Sequence, residues 1–195
     1  MSLTPQAGIM NIALYEGGKS SIAGHSDVLK LSSNENPLGP PPAAMAAIAQ
    51  AASEVHRYPS TDHAELRAAI GQSYGLAPEQ IICGVGSDEV LQFVCQAYAG
   101  VGDEIIYTEH GFSMYPILAH MAGATPVQVA EAERVVSVDT ILAAVTERTR
   151  VVMLANPANP TGTMLPDGEL ERLARSLPAT VILVIDGAYA EYAEG

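Results

Sequence analysis

Positive charge is scarce in this chain. Nine Lys and Arg face 22 Asp and Glu over 195 residues, a formal net charge of −13 at pH 7. That balance argues against nucleic acid, or an anionic membrane surface, as a natural partner. Long apolar runs are missing too. No stretch approaches the roughly 18 residues that a membrane-spanning helix needs, and the opening "MSLTPQAGIMNIALYEGG" lacks the basic and compact apolar segments of a signal peptide. A cytoplasmic location is the expectation. Cysteine is limited to Cys83 and Cys95, without CxxC spacing or a nearby His cluster, which argues against a zinc site or a disulfide framework, and buried free thiols are expected. The five histidines have no metal-ligand spacing either, and no metal is expected.

What is present is an alternation. Residues 1–42 read as an arm rich in Gly, Ser and Pro, and 43–195 as one domain long enough to bury a sizeable core. "AAMAAIAQAASEV" reads as a helix opened by prolines, and "DHAELRAAIGQSYG" as a second, with Asp62 and Glu65 spaced as a capping box and Gly75 as its stop. Short β-type runs then alternate with helical segments. The runs are 81–85, 104–108, 125–129, 151–155 and 181–186, with helices expected near 87–99, 113–122, 139–147 and 167–177. Such a pattern predicts an α/β fold of three layers, α/β/α, around a mainly parallel sheet. Ligands of open α/β sheets bind beyond the carboxyl ends of the strands. The segments there are "GSDE", "EHGFSMY", "NPANPTG" and "DGAYAEY".

Each of these admits a chemical reading and a plainer one. Gly86, Ser87 and Asp88 stand between a run and a helix, where free N–H groups and the helix dipole suit a phosphate; an ordinary N-capped helix looks the same. Gly84 and Gly86 partly mimic a nicotinamide-dinucleotide fingerprint, but Glu89 stands where its third glycine belongs. Asp186 ends a continuous apolar run expected to be a central, buried strand, so its carboxylate needs a donor or cation, or else caps the following turn. "NPANPTG" carries two prolines that cannot sit in a sheet interior, and it is expected to be a shaped loop.

Taken together and in order, "SNENPLGPP", "RYPS", "GVGSDE", "GFSMY", "NPANPTG" and "DGAYAEY" resemble the amino-terminal half of the histidinol-phosphate aminotransferase family, whose members are fold-type I enzymes using pyridoxal 5'-phosphate. The resemblance covers nearly the whole chain. It implies that Asp186 pairs with the ring nitrogen of the cofactor, that Asn159 and Tyr189 bond its phenolic oxygen, and that Phe112 stacks on its ring, although a core Phe would look identical. It implies phosphate contacts from Gly86, Ser87 and Asp88, and from Tyr58 across a homodimer with shared active sites. Tyr15, Asn34, Glu35 and Asn36 match the arm and loop that close over substrate. The implied reaction is transamination between L-histidinol phosphate and 2-oxoglutarate, with aromatic amino acids as further donors.

One departure stands beside these matches. The implied chemistry needs a Schiff-base lysine, and the chain has only Lys19 and Lys30, both far from the motifs. The expectation is therefore the amino-terminal part of an aminotransferase, lacking the carboxyl-terminal part of its large domain. Two other readings stay open: a lyase of the same superfamily resembling threonine-phosphate decarboxylase, and a non-catalytic cofactor-binding module.

Overall fold

The computed structural model describes residues 3–14 and 17–193. Contacts divide the chain into two units, residues 16–83 and residues 1–15 with 84–195. The first unit holds α1 (Pro42–Ala51) and α2 (Ala64–Tyr74). Pro41 and Pro42 open α1, as their fixed φ allows. Gly75 ends α2 at φ 68°, a left-handed conformation that costs glycine nothing. The expected capping box is not formed. His63 occupies the N-cap at φ 52° without a side-chain cap, and Asp62 instead accepts from the Ala64 N–H at 3.2 Å. The chain turns one residue later than the box requires.

The second unit is a parallel sheet with helical crossovers. α3 (Ser87–Tyr98) precedes β1 (Glu104–Thr108); α4 (Met114–Met121) links it to β2 (Thr125–Val129), α5 (Val138–Ala144) leads on to β3 (Thr149–Ala155), and α6 (Asp167–Ser176) to β4 (Ile182–Asp186). The strand order is β2-β1-β3-β4, and every pairing is parallel. Side chains alternate between faces along a strand. Ile105, Val151 and Met153 therefore pack on Leu91 and Cys95 of α3 and on Tyr115 and Leu118 of α4. Ile106, Val152 and Leu154 pack on Val138 and Ile141 of α5 and on Leu173 of α6. Two cores, one on each face, make the three layers and explain why β3 reads as a continuous apolar run.

A polar clamp closes the sheet at the end away from the motifs. Glu104 begins β1 yet is only 7% exposed. It accepts from Thr146 Oγ1 at 2.6 Å and from Arg148 Nε at 3.0 Å. Those bonds, Thr146's first, hold its carboxyl below the usual range despite the opposing effect of burial.

Another expectation changes. Residues 81–85 form no strand. A strand needs a partner edge, and none among the described residues meets this segment, in which Ile82 and Val85 are largely exposed. Among the four strands of this chain the one ending at Asp186 is outermost, with Ile185 46% exposed. Among the described residues no helix is long and apolar enough to cross a membrane.

Both cysteines are free: Cys83 is half-buried and Cys95 buried. Burial pushes the Cys95 thiol from 9.0 up to about 11. The folded state thus keeps a proton that the unfolded chain releases, and stability should fall by roughly 2–3 kcal/mol as pH rises from about 9 to about 11. Urea denaturation across that range should show the fall, and Cys95→Ala should flatten it; an identical slope in the variant would assign the loss to other groups.

Candidate functional site

The carboxyl end of β4 delivers Asp186 to the rim of the sheet. β3 fixes its height, since Ala155 pairs with Asp186 in register and the Asn156 N–H donates to the Asp186 carbonyl at 3.0 Å. Both carboxylate oxygens have donors. Oδ1 accepts from the Ala188 N–H at 3.1 Å, which caps the following turn as the plainer reading expects. Oδ2 accepts from the Tyr115 hydroxyl at 2.9 Å. Asp186 is half-buried and still faces a cleft of about 320 Å³ lined by Ser87, Val90, Leu91, Val184, Ile185, Asp186, Gly187 and Ala188. The structure so brings together two residues 99 positions apart that the motifs single out, Ser87 and Asp186.

The opposite wall is the amino end of α3. Gly86 is its N-cap at φ 110°, ψ 174°, a combination that a side chain disfavours. Ser87 is the first helical residue, and it is exposed with Gly86 and Asp88. The first N–H groups of a helix lack intrahelical acceptors and point outward with the positive end of the dipole. Glu89, the residue that spoils a dinucleotide fingerprint, folds back to accept the Val85 N–H at 2.8 Å. Its carboxylate fills the space beside Gly84, where a Cβ would come within 2.7 Å of Oε2.

"NPANPTG" is a pinned loop. The Asn156–Pro157 and Asn159–Pro160 bonds are both cis. Asn156, only 9% exposed, accepts the Leu165 N–H at 2.8 Å and so staples the two ends of the loop. Within it Ala158 N–H donates to Thr163 O and Gly162 N–H to Ala158 O, each at 2.8 Å, with Gly162 at φ 70°. Asn159 is held half-buried on this frame.

Phe112 follows the end of β1. It packs on the core and meets Tyr115 edge-to-face, with centroids 5.9 Å apart and planes at 88°. Gly111 permits this turn, because a Cβ there would lie 2.9 Å from Thr108 Oγ1. His110 fastens the segment to the end of β2: Glu131 accepts from its backbone N–H at 3.2 Å, and its Nδ1 lies 2.8 Å from Glu131 Oε2. Tyr189 is half-buried, its ring 6.3 Å from that of Tyr192. The remaining motif residues belong to the unit 16–83. There Tyr58 is fully exposed, Glu35 is paired with Lys30, Asn36 accepts the Leu38 N–H at 2.9 Å, and Asn34 is exposed. Tyr15 lies outside the described residues.

With this geometry in hand, a family model described as aminotransferase class I and II matches residues 26–195. The chain belongs to that family. The histidinol-phosphate aminotransferase of Ruegeria pomeroyi is 71% identical over 192 residues, 98% of this chain and 53% of that protein. That of Jannaschia sp. is 61% identical over 193 residues, 99% and 54% of the two. The chain spans about half the length of the curated relatives it matches. Among solved structures, histidinol-phosphate aminotransferase from Sinorhizobium meliloti in complex with pyridoxal-5'-phosphate matches with a TM-score of 0.80 at 31% identity, over 83% of this chain and 44% of that one. Aspartate aminotransferase from Thermus thermophilus with maleate matches with a TM-score of 0.73 at 27% identity, over 80% and 44%. The sheet and its helical layers are those of a fold-type I aminotransferase large domain.

The aminotransferase cleft suits a phosphorylated pyridine by its donor set: outward N–H groups and a hydroxyl at one wall, a carboxylate at the other. Its size lies in the range of small-molecule sites. Sequence reasoning passed over three residues that hold the segments carrying the motif residues. Tyr115 stands three positions after Phe112, a spacing that puts both rings on one side of a helical turn. Asn156 opens the proline-rich loop at the end of a buried strand. Glu131 carries no comparable signal. Asn156→Ala should leave the buried Leu165 N–H without its acceptor and lower stability by about 1–3 kcal/mol; the urea midpoint would measure this, and no change would show that the loop holds without the staple.

Proposed function

We propose that the full-length protein is a pyridoxal-phosphate-dependent aminotransferase of histidine biosynthesis, moving the amino group of L-histidinol phosphate to 2-oxoglutarate, with aromatic amino acids as slower donors. The observation that carries this reading is the cleft in which the amino end of α3 and Asp186 face one space, in a chain 71% identical to a histidinol-phosphate aminotransferase. Bound pyridoxal phosphate supplies an electron sink for the pair left at substrate Cα when its proton is removed. The chain's own residues bind and tune it. Ser87 Oγ and the N–H groups of Gly86, Ser87 and Asp88 hold the phosphate. Asp186 keeps a proton on the ring nitrogen by placing a negative charge beside it. Asn159 and Tyr189 donate to the phenolic oxygen, and Phe112 lies against the ring.

The same reading extends to assembly. Tyr58 reaches the cofactor phosphate of a second copy in a homodimer, while Tyr15, Asn34, Glu35 and Asn36 close over substrate. The setting is the cytoplasm. No lysine occurs in residues 84–195, so no residue of the sheet-bearing unit serves as the covalent anchor of the cofactor.

Steady-state kinetics of the full-length protein should favour histidinol phosphate over phenylalanine and tyrosine; a preference for the aromatic acids would overturn the substrate, and carbon dioxide release from an amino-acid phosphate would favour a lyase. Asp186→Asn should slow the half-reaction at saturating cofactor by roughly 100-fold, against roughly fivefold for Asn159→Ala, because a charge-assisted contact outweighs a neutral one. Equal losses would mean that Asp186 is not the partner of the ring nitrogen.

A further inference from the structure

Tyr115 does more than fill space. Its side chain is fully buried in the core shared by α3, α4, β1 and β3, where a phenylalanine would pack as well without desolvating a hydroxyl. That hydroxyl is spent on a residue 71 positions away, the Oδ2 of Asp186, at 2.9 Å. Burial foremost, then the negative charge of Asp186 and the bond itself, push the phenol well above its ordinary range. It therefore stays protonated and donates throughout the working pH range. The bond also ties two edges of the cleft to each other. Phe112 meets the Tyr115 ring edge-on, and Ala188 holds the other oxygen of Asp186.

We propose that Tyr115 is a positioning residue, whose hydroxyl fixes the carboxylate of Asp186 in the one orientation that meets the ring nitrogen of pyridoxal phosphate. This rests on the reading of Asp186 given above. A carboxylate held by one donor on each oxygen cannot swing about its χ2 axis without breaking a charge-assisted bond, and such bonds are the stronger kind. Without the hydroxyl, Asp186 keeps its charge and its backbone place but loses its aim.

The test uses the full-length apoprotein reconstituted with pyridoxal phosphate labelled at the ring nitrogen. Tyr115→Phe removes one oxygen from an isosteric ring, and a thermal melt verifies that it folds. It should weaken cofactor binding by about tenfold and move the ring-nitrogen resonance toward the unprotonated position. Tyr115→p-aminophenylalanine, which returns an N–H donor to the same place, should restore the resonance. In the Asp186→Asn background Tyr115→Phe should change nothing further, since it acts through the carboxylate. An unmoved resonance, additive effects of the two variants, or failure of the amino analogue to rescue would overturn the role of Tyr115 while leaving Asp186 in place. If Asp186→Asn itself leaves the resonance unmoved, the reading of Asp186 falls and this inference with it.

Discussion

A carboxylate taken partly out of water is costly unless donors meet it, and the site is arranged around meeting that cost at Asp186. Three parts of the chain converge there. The β3–β4 register sets the backbone, the Asn156 N–H holding the carbonyl of Asp186. The turn after β4 supplies Ala188, and α4 supplies Tyr115 from within the core. The carboxylate is anchored by elements that could not shift without disturbing packing on one face of the sheet.

The same convergence pins the loops at this rim. Asn156 serves twice, through its N–H to the Asp186 carbonyl and through its side chain to Leu165, so the "NPANPTG" loop and the backbone of Asp186 share an anchor. Glu131 does the corresponding work for the segment that carries Phe112. A binding group is most useful when its orientation is settled before the ligand arrives, because the ordering entropy is then already spent. At the far end of the sheet, Glu104, Thr146 and Arg148 form a comparably bonded group.

Some of this was legible in the chain itself. The helices at 87–98, 114–121 and 167–176 and the strands at 104–108 and 125–129 follow the periodicity closely, because each is amphipathic or apolar in a way that one kind of element buries. Ser87 and Asp186 announced themselves, one just beyond a strand-like run and the other at the end of one. The segment 81–85 misled, since an apolar run states that a strand would be welcome but not that an edge is there to receive it. Strand order, by contrast, is a property of the whole sheet, and "VILVID" shows only that cover is wanted on both faces.

The sequence by itself determined the elements, the two-faced burial of β3 and the motif residues, because these depend on spacings of a few positions, which local geometry converts directly into faces and turns. Only the tertiary structure decided that Tyr115, three residues from Phe112 but 71 from Asp186, would spend its hydroxyl on that carboxylate. It likewise decided that Glu131 would hold His110 and that Asn156 would hold Leu165. Such pairings arise where packed helices and a parallel register bring distant side chains within bonding distance, and no local pattern encodes a distance across the sheet.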